Sequence, residues 1–158
     1  MFVTAHALTG AAIGRKCAGV PWMALVLAFA SHFALDVIPH TDAHSLLSLN
    51  GRVTRPEALT AALDTAFALF AVILLTRGLK RRRFLIGAAF AATVIDLVDN
   101  VPPWGPWFHH SAATAWLSHF HHGIQHSVGG EQWLLGFGTQ LLVCALAVWA
   151  IRTGRLSR

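Results

Sequence analysis

The residues with the most chemical capacity in this chain are histidines and aspartates that recur every four positions. In the run from Ser31 to His40, His32, Asp36 and His40 fall at that spacing. On a helix, His32 and Asp36 stand one above the other on a single face. An imidazole nitrogen and a carboxylate oxygen one turn apart can bind one divalent cation or bridge two. Pro39 disrupts the helix near its end, which lets His40 turn back on an irregular segment. His122 and His126 repeat the four-residue spacing, and His119 stands one turn before His122. Two such pairs brought together would make a site of four to six ligands, of a type compatible with zinc.

These ligands need elements to position them, and the composition says where those elements sit. The chain has 158 residues, enough for one domain, and is 55% hydrophobic with only 12% charged. A typical soluble domain carries roughly 25% charged residues. So much apolar surface exceeds what a core of this size can bury, so lipid must take part. Four segments approach the roughly 20 apolar residues that cross a bilayer. They run from about Val20 to Ile38, Ala58 to Thr76, Phe84 to Val98 (short) and Trp133 to Ile151. Gly19 to Pro21, Gly51, Gly78, Pro102-Pro103 and Gly129-Gly130 punctuate them. Phe2 to Gly14 is apolar but spans only about 20 Å as a helix, so it reads as a half-span, re-entrant or tilted helix. The expected fold is all-α: a polytopic membrane bundle of about four transmembrane helices plus this short N-terminal one, forming a single domain over residues 1–158.

Charge sets the expected orientation. Arg15 and Lys16, then Arg77, Lys80, Arg81, Arg82 and Arg83, then Arg152, Arg155 and Arg158 fall on one side if the four spans alternate. Those are ten of the twelve basic residues, and positive loops face the cytoplasm. The 77–83 turn and the C-terminus are therefore expected in the cytoplasm. All ten histidines then lie outside or in the outer half of a span, with Asp36, Asp64, Asp96 and Asp99. The net charge of +5 thus reports topology. A nucleic-acid partner is excluded, because no basic stripe interleaved with aromatics exists. Cys17 and Cys144 are too far apart in sequence to form a metal pair or a disulfide framework. No secretory leader is recognised, so the N-terminal segment is expected in the mature protein.

An aspartate inside a lipid-facing span costs about 2.5–3.5 kcal/mol on insertion scales, so Asp36 and Asp64 are expected to have partners. Asp64 pairing with a histidine is one such arrangement. His109 and His110 follow Trp104, Trp107 and Phe108, which reads as an interfacial aromatic belt with the histidines at headgroup level. His121 points off the 119/122/126 face and is set aside. Glu131 reads as an interfacial or helix-start residue.

These residues resemble a family of small bacterial membrane proteins described as metal-dependent hydrolases. The likeness lies in Thr4-Ala5-His6 through Gly10 and Gly14, and above all in Ser31-His32-Phe33, Asp36, Pro39-His40 and Asp42. Val94 to Asn100 is similar to a later segment of the family, with Ile95 where proline is usual. His122 to His126 and Trp133, Gly136 and Gln140 are similar to its closing elements. The His32/Asp36 pair is also similar to one in the zinc-dependent phospholipase C family, an all-helical soluble fold with a multi-zinc site. The resemblance implies a metal-dependent hydrolase at the outer face of the bacterial cytoplasmic membrane. A lipid or lipid-linked phosphoester would be its substrate.

The expected ligands are His32, Asp36, His40, His122 and His126, with His6 and Asp96 as further ones and zinc as the cation. Asp42, Asp64 or Asp99 is the expected general base or orienting group. The competing classes are a non-enzymatic divalent-metal binding or transport protein, which Asp64 within a span would suit, and a membrane scaffold with structural histidines.

Overall fold

The computed structural model describes residues 1–47, 54–101 and 104–154. Its helices are α1 (Val3–Lys16), α2 (Pro21–Asp36), α3 (Ala43–Leu47), α4 (Arg55–Leu75), α5 (Arg82–Asn100), α6 (Trp104–His110), α7 (Ala115–Ile124) and α8 (Trp133–Thr153). A 3-10 turn, Gly130–Gln132, leads into α8. There is no strand among the described residues, only an isolated parallel bridge between His40 and Ser127. The fold is all-α, as expected. Gly51, Pro102, Pro103, Arg155 and Arg158 lie outside the described residues.

Local chemistry sets the helix limits. Pro21 opens α2, where its missing N–H has no helical partner to lose. The helix stops at Asp36, three residues before Pro39, which disfavours α geometry at its predecessor. Thr54 and Glu57 form a reciprocal capping box at the start of α4. The turn before α5 uses left-handed backbone at Gly78 and Arg81.

The short N-terminal helix is the axis of the bundle. α1 packs against α2, α4, α5 and α8, and nine of its fourteen residues are buried. Small residues permit this. A Cβ added at Gly10 would lie 2.5 Å from the Ala88 carbonyl oxygen and 2.6 Å from the Ala92 Cβ. One added at Gly14 would lie 2.8 Å from the Ala88 Cβ. On α2 the only buried residues are Ala24, Ala28, His32 and Asp36, a single stripe at four-residue spacing. Ala28, Ala88 and Ala92 pack together in a small cluster of their own. Close approach through small side chains is how helices associate where lipid removes the hydrophobic drive between them.

α4 and α8 lie around this centre and turn large apolar faces outward. Leu59, Leu63, Phe67, Phe70 and Leu74 of α4 are exposed, as are Leu134, Leu141, Leu142 and Trp149 of α8. Both are long and apolar enough to cross a membrane, and α5 and α6 count as a third span only if the bent pair is taken as one. α2 is apolar but only 16 residues long. By length and composition the described helices thus supply two spans, or three if α5 and α6 are one, against about four expected, and α2 at 16 residues is the one that falls short.

The bundle has two chemically opposite ends. Arg81 Nη1 donates to the Ala18 carbonyl, joining the basic 77–83 turn to the segment after α1. Gly154 lies against Arg15, and Lys16 Nζ sits 5.6 Å from the centre of the Trp149 ring. The histidines and aspartates gather at the other end.

Replacing Gly10 with valine drives a side chain into a backbone oxygen that cannot yield. We expect it to cost at least about 3 kcal/mol, seen as a lower melting temperature in detergent. Gly87→Ala on α5 is the control, since a Cβ there meets nothing within 4 Å.

Candidate metal centre

Three helix stripes of small residues run into one buried polar cluster. On α1, Gly14 and Gly10 lead back to His6. On α2, Ala24 and Ala28 lead to His32 and Asp36. On α5, Ala88 and Ala92 lead to Asp96. Each step is four residues, so each polar side chain shares a face with the small ones that let the backbones meet. His121 of α7 completes the cluster. His6, His32, Asp36 and His121 are fully buried, and the Asp96 side chain is 16% exposed.

Four donor atoms converge: His32 Nε2, His121 Nε2, Asp36 Oδ2 and Asp96 Oδ1. His32 Nε2 lies 3.0 Å from His121 Nε2, 3.2 Å from Asp36 Oδ2 and 3.5 Å from Asp96 Oδ1. His121 Nε2 lies 3.3 Å from Asp36 Oδ2 and 3.7 Å from Asp96 Oδ1. Ligands about 2.0–2.1 Å from a tetrahedral ion stand about 3.3 Å apart, and these five separations bracket that value. His6 Nε2 adds a fifth donor, 3.2 Å from Asp36 Oδ1, with its ring stacked on His32 at 4.1 Å between centroids.

The orientation of these groups is as informative as their spacing. His32 Nδ1 is 2.9 Å from the Ala92 carbonyl oxygen. A carbonyl only accepts, so Nδ1 carries the proton and Nε2 presents its lone pair to the cluster. Both nitrogens of His6, Asp36 Oδ2 and Asp96 Oδ2 are buried with no hydrogen-bond partner. His6 Nε2 lies 3.2 Å from Asp36 Oδ1 without forming a hydrogen bond. Buried orphan polar atoms each cost about 1–3 kcal/mol, so their concentration here calls for a partner.

Charge demands one too. Asp36, Asp96 and Asp99 bring three carboxylates into a largely buried site, and a buried charge must be paired. The Met1 amino group lies 3.1 Å from Asp36 Oδ1. His121 is a second cation source. Burial works against its protonation, but the carboxylates of Asp36 and Asp99 overcome that and raise its pKa to about 9. His121 Nδ1 is 3.4 Å from Asp99 Oδ2. The site can therefore balance its charge with a proton on His121 or with a divalent ion beside Nε2.

The structure gathers some expected residues and separates others. His6, His32 and Asp36 form one group with metal-ligand spacing, and His32, Asp96 and His121 another. His122 falls in a third, with Asp99 and His109. His40 stands at the rim: its Nε2 is 4.0 Å from Asp36 Oδ1 and 3.8 Å from Asp42 Oδ2. His126 is exposed and contributes only backbone, donating its N–H to the Asp36 carbonyl and accepting from His40 N–H. The reason is that α7 ends at Ile124 and Gln125 is extended. His122 and His126 therefore do not share a helical face.

The spacing puts His121 off the 119/122/126 face only if one helix continues through His126, and the break after Ile124 removes that condition. Ser118, small and buried three residues earlier on the face of α7 that turns inward, was the available signal.

The candidate bases separate as well. Asp64 belongs to none of the three groups. It accepts from the Thr4 hydroxyl at 2.5 Å and from Thr4 N–H at 3.4 Å, satisfying the first turn of α1 from a neighbouring helix. Asp42 accepts from Ser45 N–H at 2.6 Å at the start of α3, and from the Ser127 hydroxyl. Burial would raise its pKa, but the hydrogen bonds from Ser127 and Ser45 hold it below the usual value. Asp99 stays close to the cluster through His121.

The segment after α2 is held by α8. Gln140 Nε2 donates to the Thr41 carbonyl at 2.8 Å, and its Oε1 accepts from Phe2 N–H at 2.9 Å. Gly136 lies so close to Thr41 that a Cβ would be 2.7 Å from the Thr41 nitrogen. No family model matches the chain, and no curated protein or solved structure does so either.

In metal-free protein, a His121 pKa of about 9 against an unfolded value near 6.5 makes protonation favour the folded state. That stabilisation is complete below about pH 6.5 and is lost as pH rises through 9. His121→Gln should flatten the fall in melting temperature across this window. His126→Ala should leave it unchanged.

Proposed function

We propose that this protein is a membrane-embedded, metal-dependent hydrolase. A lipid or lipid-linked phosphoester is its substrate, and zinc is the cation. One observation carries the reading: donor atoms from four helices converge at ligand-to-ligand distances, and five buried nitrogens and oxygens of the cluster, both nitrogens of His6, His121 Nδ1, Asp36 Oδ2 and Asp96 Oδ2, have no hydrogen-bond partner. A scaffold that used these side chains for packing alone would satisfy those atoms with hydrogen bonds.

His32, Asp36, Asp96 and His121 would hold the ion, with His6 as a further ligand. A bound divalent cation supplies Lewis acidity and lowers the pKa of a coordinated water to about 7. The Ala92 carbonyl keeps His32 in the tautomer that serves as a ligand. Asp99 orients His121 through Nδ1. Asp96 is the one member open to the exterior, and its Oδ2 has no partner.

The surroundings suit a lipid. An apolar cleft of about 700 Å³ between α1, α2 and α8 is lined by Ile13, Leu27, Leu35 and Leu146. None of its lining residues belongs to the cluster, so it would hold acyl chain and not the reacting group. Trp104, Trp107, Trp116 and Trp133 are exposed at the same end of the bundle as the cluster, matching the aromatic belt of a membrane interface. The excess of basic residues at the opposite end supports an orientation with the site facing outward from the cytoplasm.

The direct test is zinc per chain after purification in detergent, with turnover assayed on phosphatidylglycerol vesicles. Wild type should carry metal, hydrolyse the lipid and melt lower with chelator. Asp36→Asn and His32→Ala should each lose the metal and at least 100-fold in rate, while Lys80→Ala matches wild type. Metal-free wild type, with melting unmoved by chelator, would return these residues to a structural role. Metal without turnover would favour binding or transport.

Orientation is tested separately. A reporter inserted at Gly78 should read cytoplasmic and one at Gly129 external, and the reverse result would put the site on the cytoplasmic face.

A further inference from the structure

Beside the buried cluster stands a second one of different character. Asp99 is the penultimate residue of α5, His109 is the penultimate residue of α6 and His122 lies in α7, and each offers one donor atom within 4.8 Å of the other two. His109 Nε2 is 2.6 Å from Asp99 Oδ1, and His122 Nε2 is 3.3 Å from Asp99 Oδ2. The two imidazole rings are 5.7 Å apart between centroids. α6 reaches this position because residue 105 is glycine: a Cβ there would lie 2.6 Å from the Asp99 carbonyl oxygen.

Exposure and the tautomer of His122 suit a ligand set, while His109 Nε2 donates to Asp99 Oδ1 and would release that proton when a cation binds. His122 Nδ1 is 2.9 Å from the Ser118 carbonyl, which makes it the protonated nitrogen and leaves the Nε2 lone pair facing Asp99. The Asp99 side chain is 4% exposed, whereas His109 is 39% and His122 53% exposed. The carboxylate is thus held at the floor with two imidazoles at the rim. Three protein ligands facing solvent leave coordination positions for water or substrate, in contrast to the enclosed first cluster.

We infer that Asp99, His109 and His122 form a second, solvent-open centre for a divalent cation of the zinc or cobalt type. This rests on the reading of the first cluster as a metal centre and adds to it the place where water and a phosphoester oxygen gain access. The two centres are joined through His121, whose Nε2 belongs to the first and whose Nδ1 faces Asp99 Oδ2. Asp99 is then a ligand of the open centre and a positioning residue for the buried one. Removing it disturbs both, while removing His109 and His122 disturbs one.

The test is cobalt and zinc titration of the full chain in detergent after chelator treatment, read by metal content and by the cobalt visible spectrum. Wild type should take up two ions per chain in two steps, the weaker one stripped first by chelator. His109→Ala/His122→Ala should take up one ion, its affinity within about threefold of the tighter wild-type step. Asp99→Asn should lose the weaker ion and weaken the tighter one at least tenfold. His110→Ala is the control, because this exposed side chain bonds the Pro106 carbonyl and offers no donor atom to the Asp99 group, and it should keep both ions. His109→Gln/His122→Gln keeps the rim polar should the alanine pair fail to fold. One ion in wild type and one in the double variant would overturn the second centre and leave the first intact. No ion in wild type would overturn both.

Discussion

The close approach of α1, α2 and α5 is the constraint on which the rest of this molecule depends. Inside a bilayer, burying leucine against leucine yields little, because lipid tails solvate it equally well. Gly10, Gly14, Ala24, Ala28, Ala88 and Ala92 solve this by removing side-chain bulk, so that backbones touch. The polar ligands lie on the same four-residue stripes. Whatever holds the stripes in register therefore also holds His6, His32, Asp36 and Asp96 at the spacing of a coordination sphere. Packing and site geometry are one property here.

The second constraint is charge. Three carboxylates in a largely buried site are tolerable only with cations beside them. The Met1 amino group and a protonated His121 can serve, and so can a divalent ion. A proton and a metal ion would compete for the same nitrogen, which would link metal affinity and acid–base state at His121. Bare carboxylates at this depth would cost too much to persist, so one of these cations is part of the stability of the fold.

The periphery serves the centre without touching the ligands directly. α8 uses Gly136, Thr139 and Gln140 to grip the 39–41 segment, with Thr139 Oγ1 donating to the Pro39 carbonyl at 2.5 Å. The short bridge between His40 and Ser127 ties the chain after α7 to the chain after α2. Asp64, an acid within an apolar helix, spends its oxygens on Thr4 at the start of α1. That contact fixes α1 along its axis, and with it the height of His6.

Some of this was legible in residue order alone. The four-residue spacing of His32 and Asp36, the isolation of the basic residues at one end and the excess of apolar surface are local or compositional properties. Each follows from helical geometry or from the cost of charge in lipid. The tertiary structure decided the remainder. Periodicity cannot say where a helix stops, and α7 stops at Ile124, which brings His121 into the centre and leaves His126 outside. Composition cannot rank one apolar segment above another, and the shortest of them, α1, became the axis because its glycines fit the alanines of α5. His109 and His122 meet Asp99 only because α6 folds back over Gly105. These outcomes depend on which surfaces find each other in space, and a one-dimensional pattern carries no such information.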